Sequence, residues 1–293
     1  MKKELSLLLV CFYSLSINAQ KTPAVSEFVP DKVSIIENIE YTNYGDRKLL
    51  MDLYRPVNYS NNLPTIIMIR GGGFRVGDKK GFSSLSAALA NEGFATICIE
   101  YRTLNEALFP AAILDTKNAV KWIKENAEKY NLNPNAIGTM GGSAGAHLAM
   151  ILATSGESSK LNPTNHPDMY KVQAAVVLEA DADFLEAKDD QNLIDWLGAT
   201  YHGSPDLWKL ASPITHIDST SAPILFIHGS EDKIVPIEQS LNSINRLIEA
   251  KVHTELIVLP DVGHSFWANH KWFNFTVNRA RVFFNDQFAK SNN

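Results

Sequence analysis

The chain has 293 residues, a formal net charge of -5 at pH 7, 45% hydrophobic residues and 20% charged ones. This is globular composition with ample material for a core, and it excludes a disordered or collagen-like chain. The mildly acidic balance carries no basic footprint for nucleic acid, and two cysteines are too few for a disulfide framework.

The first element, "MKKELSLLLVCFYSLSINAQ", starts with Lys2 and Lys3, runs apolar from Leu5 to Ile17 and ends in the small-residue pattern Ile17, Asn18, Ala19. It predicts a signal peptide over residues 1–19, cut after Ala19, and a secreted or periplasmic product. The apolar run is shorter than the roughly 20 residues that cross a bilayer. No other run reaches that length, so no membrane span is expected in the mature protein. A lipid anchor on Cys11 is disfavoured by the bulky Val10 before it. Cys98, inside the apolar "FATICIEY", is expected to be a buried thiol.

Residues 20–33 form a polar N-terminal segment, and residues 34–290 read as one domain. "VSIIENIEY" and "LLMDLYRP" flank the turn "TNYGDRK" and predict two antiparallel strands. "LPTIIMIR" is a continuous apolar strand, as expected where helices cover both faces of a sheet. Then follow helix "SSLSAALANEG", strand "FATICIEY", one long helix "PAAILDTKNAVKWIKENAEKY" started by Pro110, and strand "NAIGTMGG". Helix "AGAHLAMILATSG", strands "VQAAVVLEA" and "APILFIHGS", helix "IEQSLNSINRLIEA" and strand "HTELIVLP" complete the reading. This alternation predicts an α/β fold, a mostly parallel central sheet with helices on both faces. Residues 181–210 lack a strand pattern and read as an insertion suited to a lid or a pocket wall.

Between the strand ending at Gly142 and the helix opening at Ala144, Gly141, Ser143 and Gly145 spell G-x-S-x-G. Small neighbours permit a tight turn that lifts the serine hydroxyl above the sheet edge, with the Ala144 N–H free for an oxyanion. A serine needs an imidazole to take its proton and an acid to orient that imidazole. Asp232 follows the strand "ILFIHGS", and His264 follows "LIVLP". Groups beyond the carboxyl ends of different strands converge in such sheets. Glu231 and Asp181 compete for the acid role, and His228, His253 and His270 for the base. Gly72 and Gly73, in the loop "RGGGFRVGD", are the remaining oxyanion donors.

Together these residues resemble the α/β-hydrolase superfamily. "MDLYRP", "RGGGFRVGDK", "EYR", "FPAAILD", "GGSAGAHLA", "ASPITHI", "HGSEDKIVP" and "GHSF" are similar to the secreted bacterial carboxylesterases with an HGGG-type oxyanion loop, feruloyl and acetylxylan esterases among them. The resemblance spans roughly residues 35–285. It implies the α/β-hydrolase fold, Ser143 as nucleophile, Asp232 as acid, His264 as base, and Gly72, Gly73 and Ala144 as oxyanion donors. It also implies a small-molecule or polysaccharide-linked ester as substrate and no cofactor. Arg70 stands where the family often has histidine. An unpaired buried guanidinium is costly, so Arg70 is expected to find an acidic partner, with Glu100 the candidate.

Two other functions stay open: a serine peptidase of the prolyl oligopeptidase type, and a non-catalytic module binding sugars through Trp196, Trp208, Trp267 and Trp272, although most such tryptophans are core or rim. The acids Asp181, Asp183, Asp189 and Asp190 fit no calcium-loop spacing and read as a solvated face. No metal is expected.

Overall fold

A computed structural model describes residues 10–12, 31–59, 62–76 and 78–291. The strands are β1 (Val10–Phe12), β2 (Val33–Tyr44), β3 (Arg47–Pro56), β4 (Leu63–Ile69), β5 (Ala95–Ile99), β6 (Leu132–Gly142), β7 (Ala174–Leu178), β8 (Ile224–Gly229) and β9 (Thr254–Leu259). They form one sheet in the order β1-β9-β8-β7-β6-β4-β5-β3-β2. The pairs β2/β3 and β3/β5 are antiparallel, as the meander predicted for β2 and β3 requires, and the rest are parallel.

The leader predicted over residues 1–19 lies outside the described residues except for β1, the edge strand, which pairs parallel to β9. No helix among the described residues is long and apolar enough to cross a membrane.

The helices are α1 (Ser83–Asn91), α2 (Ala111–Glu125), α3 (Ala127–Tyr130), α4 (Ala144–Thr154), α5 (Gln191–Leu197), α6 (Pro205–Ala211), α7 (Glu238–Glu249) and α8 (His270–Ser291). Alternation along the strands divides the core between the two faces. On β4, Ile67 and Ile69 join the cluster holding Val120 of α2, Met150 of α4 and Leu247 of α7. Ile66 and Met68 join the cluster holding Leu85 of α1 and Phe284 of α8.

Two features depart from the sequence expectation. The single helix expected over 110–130 breaks at Asn126, whose side chain and backbone N–H both bond the Trp122 carbonyl; such side chains compete with helix propagation. And α8 was missing from that reading, although Trp272, Phe273, Thr276, Val277, Ala280, Phe283, Phe284, Gln287 and Phe288 are all buried at helical spacing. Each large apolar side chain there adds about 1.5–3 kcal/mol over exposure. A Cβ on Gly138 of β6 would lie 2.5 Å from the Phe284 ring, so α8 seats directly against the strand that carries the elbow.

Candidate active site

The site forms at the carboxyl ends of β4, β6, β7, β8 and β9. Ser143 caps α4 with φ 55° and ψ -126°, a region side chains rarely adopt. The glycines around it are there for clearance. A Cβ on Gly141 would sit 2.1 Å from the Gly145 carbonyl oxygen, and one on Gly145 would sit 2.1 Å from that of Ile69. The turn therefore fits hard against β4, and the oxyanion loop that follows β4 is fixed to the elbow. A Cβ on Gly71 would lie 2.4 Å from the Gly142 oxygen. Gly72 and Gly73 follow at φ 129° and 57°, which glycine adopts readily. Ala144 is buried at the start of α4, where helix N–H groups are unpaired and the dipole favours negative charge.

Asp232 and His264 meet. His264 Nδ1 lies 2.7 Å from Asp232 Oδ2, while Asp232 Oδ1 accepts from the Ile234 and Val235 amides at 2.8 and 3.0 Å. Burial opposes ionisation of Asp232, but the His264 hydrogen bond and those two amides hold its carboxyl below the usual range. For His264, burial favours the neutral ring; hydrogen bonds and charges from Asp232 and then Glu179 overcome it and push the imidazole up to about 9.

The histidine loop closes over the elbow. The Trp267 ring lies edge-on to His264 with centroids 6.0 Å apart, and it would be 2.5 Å from a Cβ on Gly142. The Ser143 amide donates to the Leu178 carbonyl at 2.9 Å. The next residue, Glu179, is fully buried and places Oε2 3.1 Å from His264 Nδ1. Glu179 escaped the sequence reading. Only its place directly after an apolar strand run marks it, and acids at strand ends are common.

The rival groups fall elsewhere. Glu231 is exposed. His228 is buried and bonded to the Ser240 hydroxyl and the Val235 carbonyl. His253 is exposed beside Glu255, and His270 begins α8. Asp181 is close enough to feel His264 and Asp232, yet among the described residues its carboxyl has no hydrogen-bond partner; burial, then the Asp190 charge, push it up to about 7. Asp183 caps the 3-10 turn Phe184–Glu186 and Asp190 caps α5 through backbone amides, the ordinary work of acids at helix starts. Among the described residues, Glu179, Asp232 and His264 are the group whose ligand atoms, within 4.8 Å of one another, could share a cation. Those same atoms are already engaged in the imidazole's hydrogen bonding.

Segment 181–210 holds α5 and α6 and docks on the oxyanion loop. Arg75 Nε donates to Asn192 Oδ1 at 2.9 Å, and Arg75 Nη2 to Asp195 at 2.6 Å. Behind the loop, Phe74 stacks on Trp196 with centroids 3.9 Å apart, and His147 faces Phe184 at 4.6 Å. Trp196 and Trp208 are fully buried and Trp272 nearly so. They are core residues and present no sugar-binding face; Trp267 alone of the four named tryptophans is partly exposed.

Arg70 does not pair with Glu100. Glu100 accepts from Arg47 at 3.1 Å and from the Leu50 amide at 3.2 Å. Arg70 instead donates to the Gly71 carbonyl at 3.0 Å and lies along Gly81, where an added Cβ would be 2.0 Å from its Cδ. Cys98 is the buried thiol expected, pushed up to about 12 mainly by burial. A cavity of about 670 Å³, lined by Tyr59, Leu63 and Gly93 among others, opens at the amino ends of β4 and β5, away from this site.

Strand order, elbow and the acid–imidazole contact define an α/β-hydrolase fold. The chain belongs to the BD-FAE family, whose sequence pattern matches residues 51–247. A solved structure described as a truncated carbohydrate esterase from gut microbiota superposes with TM-score 0.76 at 28% identity, covering 92% of this chain and all of that one. The bifunctional GH43-CE of Bacteroides eggerthii gives TM-score 0.77 at 26% identity over 86% of this chain and 38% of its own. Esterase LipQ of Mycobacterium tuberculosis is 30% identical over 232 residues, 76% of this chain and 55% of that protein. The chain thus spans little more than half the length of the curated relatives it matches.

Proposed function

We propose that the protein is an exported serine carboxylesterase that works through an acyl-enzyme. Ser143 Oγ attacks the ester carbonyl carbon while His264 Nε2 takes its proton, and Asp232 stabilises the resulting imidazolium through Nδ1. The carbonyl oxygen, now an oxyanion, accepts hydrogen bonds from the Ala144 amide and from Gly72 and Gly73. Collapse expels the alcohol, which leaves with the proton from His264. Water then repeats the sequence on the acyl-enzyme and releases the acid. The observation that carries this reading is the 2.7 Å contact between His264 and Asp232 beside a serine held at φ 55°.

The natural substrate is a short-acyl or aromatic ester borne on plant polysaccharide. The carbohydrate-esterase description of a structural relative supports this, as does the export signal read at residues 1–19. The test is hydrolysis of p-nitrophenyl acetate, butyrate and octanoate, acetylated xylan and methyl ferulate by wild type and Ser143→Ala. The reading requires turnover that Ser143→Ala abolishes and a preference for acetyl or feruloyl esters over octanoate. Equal rates in the two proteins on every ester would end it.

A further inference from the structure

Glu179 is a buried acid with few partners. It follows β7 directly, at φ 55° and with no solvent exposure. Oε1 accepts from the Gly229 amide at 3.2 Å and Oε2 from the Ser265 amide at 2.8 Å. A Cβ on Gly229 would lie 2.3 Å from the Val262 carbonyl oxygen and 3.1 Å from Oε1, so the glycine lets β8 pack closely against both. Among the described residues no lysine or arginine reaches Glu179, and the one group beside it that can become a cation is His264, 3.1 Å away. Burying a carboxylate is costly unless an opposite charge accompanies it. The two amides favour a carboxylate there, and His264 is the group placed to supply the opposite charge.

We propose that Glu179 is a second acid for His264, sharing the Nδ1 proton with Asp232 and holding the imidazole in its productive tautomer when Asp232 is removed. Nδ1 carries one hydrogen. It points to Asp232 at 2.7 Å, and Glu179 at 3.1 Å is the acceptor it turns to next. When Ser143 gives up its proton, the imidazolium lies between two carboxylates that approach from different strands, β7 and β8. Glu179 acts through the histidine and is a positioning residue.

Other charged or titratable groups near His264 are Asp181, with Asp190 behind it, and His228, whose Nε2 lies 3.7 Å from Asp232 Oδ2. Among the described residues, Asp232 and Glu179 are the acids that reach Nδ1 of the ring. Both raise the imidazole's basicity. The free ring must be neutral to accept the serine proton, so kcat/KM climbs with pH through the His264 titration, and a weaker acid pair moves that limb to lower pH.

The inference rests on the Ser143 and His264 roles proposed above. Its test is kcat/KM against pH for wild type, Glu179→Gln, Asp232→Ala and the double variant, with circular dichroism to establish folding. Gln keeps an acceptor for the backbone amides and removes the charge. Glu179→Gln is expected to move the acid limb down by about one unit. Asp232→Ala is expected to lose about 10–100-fold, against the loss of about 10⁴ seen when the acid of a triad is disabled, and the double variant about a further 100-fold. An unmoved limb in Glu179→Gln, or a double variant equal to Asp232→Ala, would overturn the proposal. A readout independent of turnover is NMR titration of the His264 ring in Ser143→Ala, with and without Glu179→Gln. A lower His264 pKa with Gln supports the proposal and an unchanged one refutes it. A wild type no faster than Ser143→Ala would instead sink the esterase reading and leave the titration to decide the role of Glu179.

Discussion

Replacing Gly145 by Ala drives a wedge between the two halves of the proposed oxyanion hole. The new methyl carbon would lie 2.1 Å from the Ile69 carbonyl oxygen and 2.7 Å from the Arg70 carbonyl carbon. Neither obstacle is a side chain that can swing aside. Reaching an ordinary 3.4 Å contact requires α4 and β4 to part by about 1.3 Å. Ala144 rides on α4, whereas Gly72 and Gly73 follow β4, so the donors separate by a similar amount. Productive donors lie about 2.7–3.1 Å from the oxyanion, and losing one costs about 10²–10³ in kcat. Overpacking of this kind also costs about 1–3 kcal/mol of stability, or roughly 2–10 °C in Tm. The assay is p-nitrophenyl acetate hydrolysis well below the variant's Tm, with Gly156→Ala as control; its Cβ would meet only the Lys171 side chain at 3.1 Å. Gly145→Ala is expected to lose about 10²–10³ in kcat, with KM changed far less. A Gly145→Ala enzyme within about tenfold of wild type would refute the wedge argument.

Three further outcomes follow from other parts of the molecule. Asp52→Ala removes the counter-charge of Lys79, whose ammonium lies 3.1 Å from Asp52 with both side chains buried and keeps only a neutral acceptor in Asn38 Oδ1 at 3.0 Å among the described residues; unfolding free energy should fall by about 3–5 kcal/mol, measured by urea titration. Asp181 binds its proton more tightly folded than unfolded, so its contribution to stability is present below pH 3.8 and is lost as pH rises through about 7. Asp181→Asn should therefore raise Tm at pH 8.5 relative to wild type, and a lower Tm there would contradict the burial argument. The exported protein should begin at Gln20, a point settled by N-terminal sequencing; a product that retains Met1 would contradict the leader assignment.

Much of the architecture was legible because burial leaves periodic traces. β4 to β9 read as apolar runs between helical patterns, and the three proposed catalytic side chains each follow such a run. The local context of Ser143, small residues between strand and helix, was enough to locate the elbow. What escaped depends on partners distant in sequence. β4 and β5 pair in parallel with Met68 opposite Cys98, so strand register alone sets Arg70 beside Glu100. The loop instead turns Arg70 along Gly81, and β3 delivers Arg47 to Glu100. Glu179 looks like any acid at a strand end until β8 and β9 bring Gly229, His264 and Ser265 around it. For the tryptophans composition records only a large ring, and packing decides its role: Trp196 lies flat against Phe74 in the interior. The aromatic spacing of α8 is itself legible in the sequence, at helical period.

The central claim is that Ser143 is the nucleophile, and covalent capture tests it most directly. The mature protein would be treated with a fluorophosphonate and the adduct located by peptide mass spectrometry. The account predicts one modified residue, Ser143, with labelling abolished in Ser143→Ala and slowed at low pH, where His264 is protonated. Labelling of another serine, or equal labelling of Ser143→Ala, would contradict it.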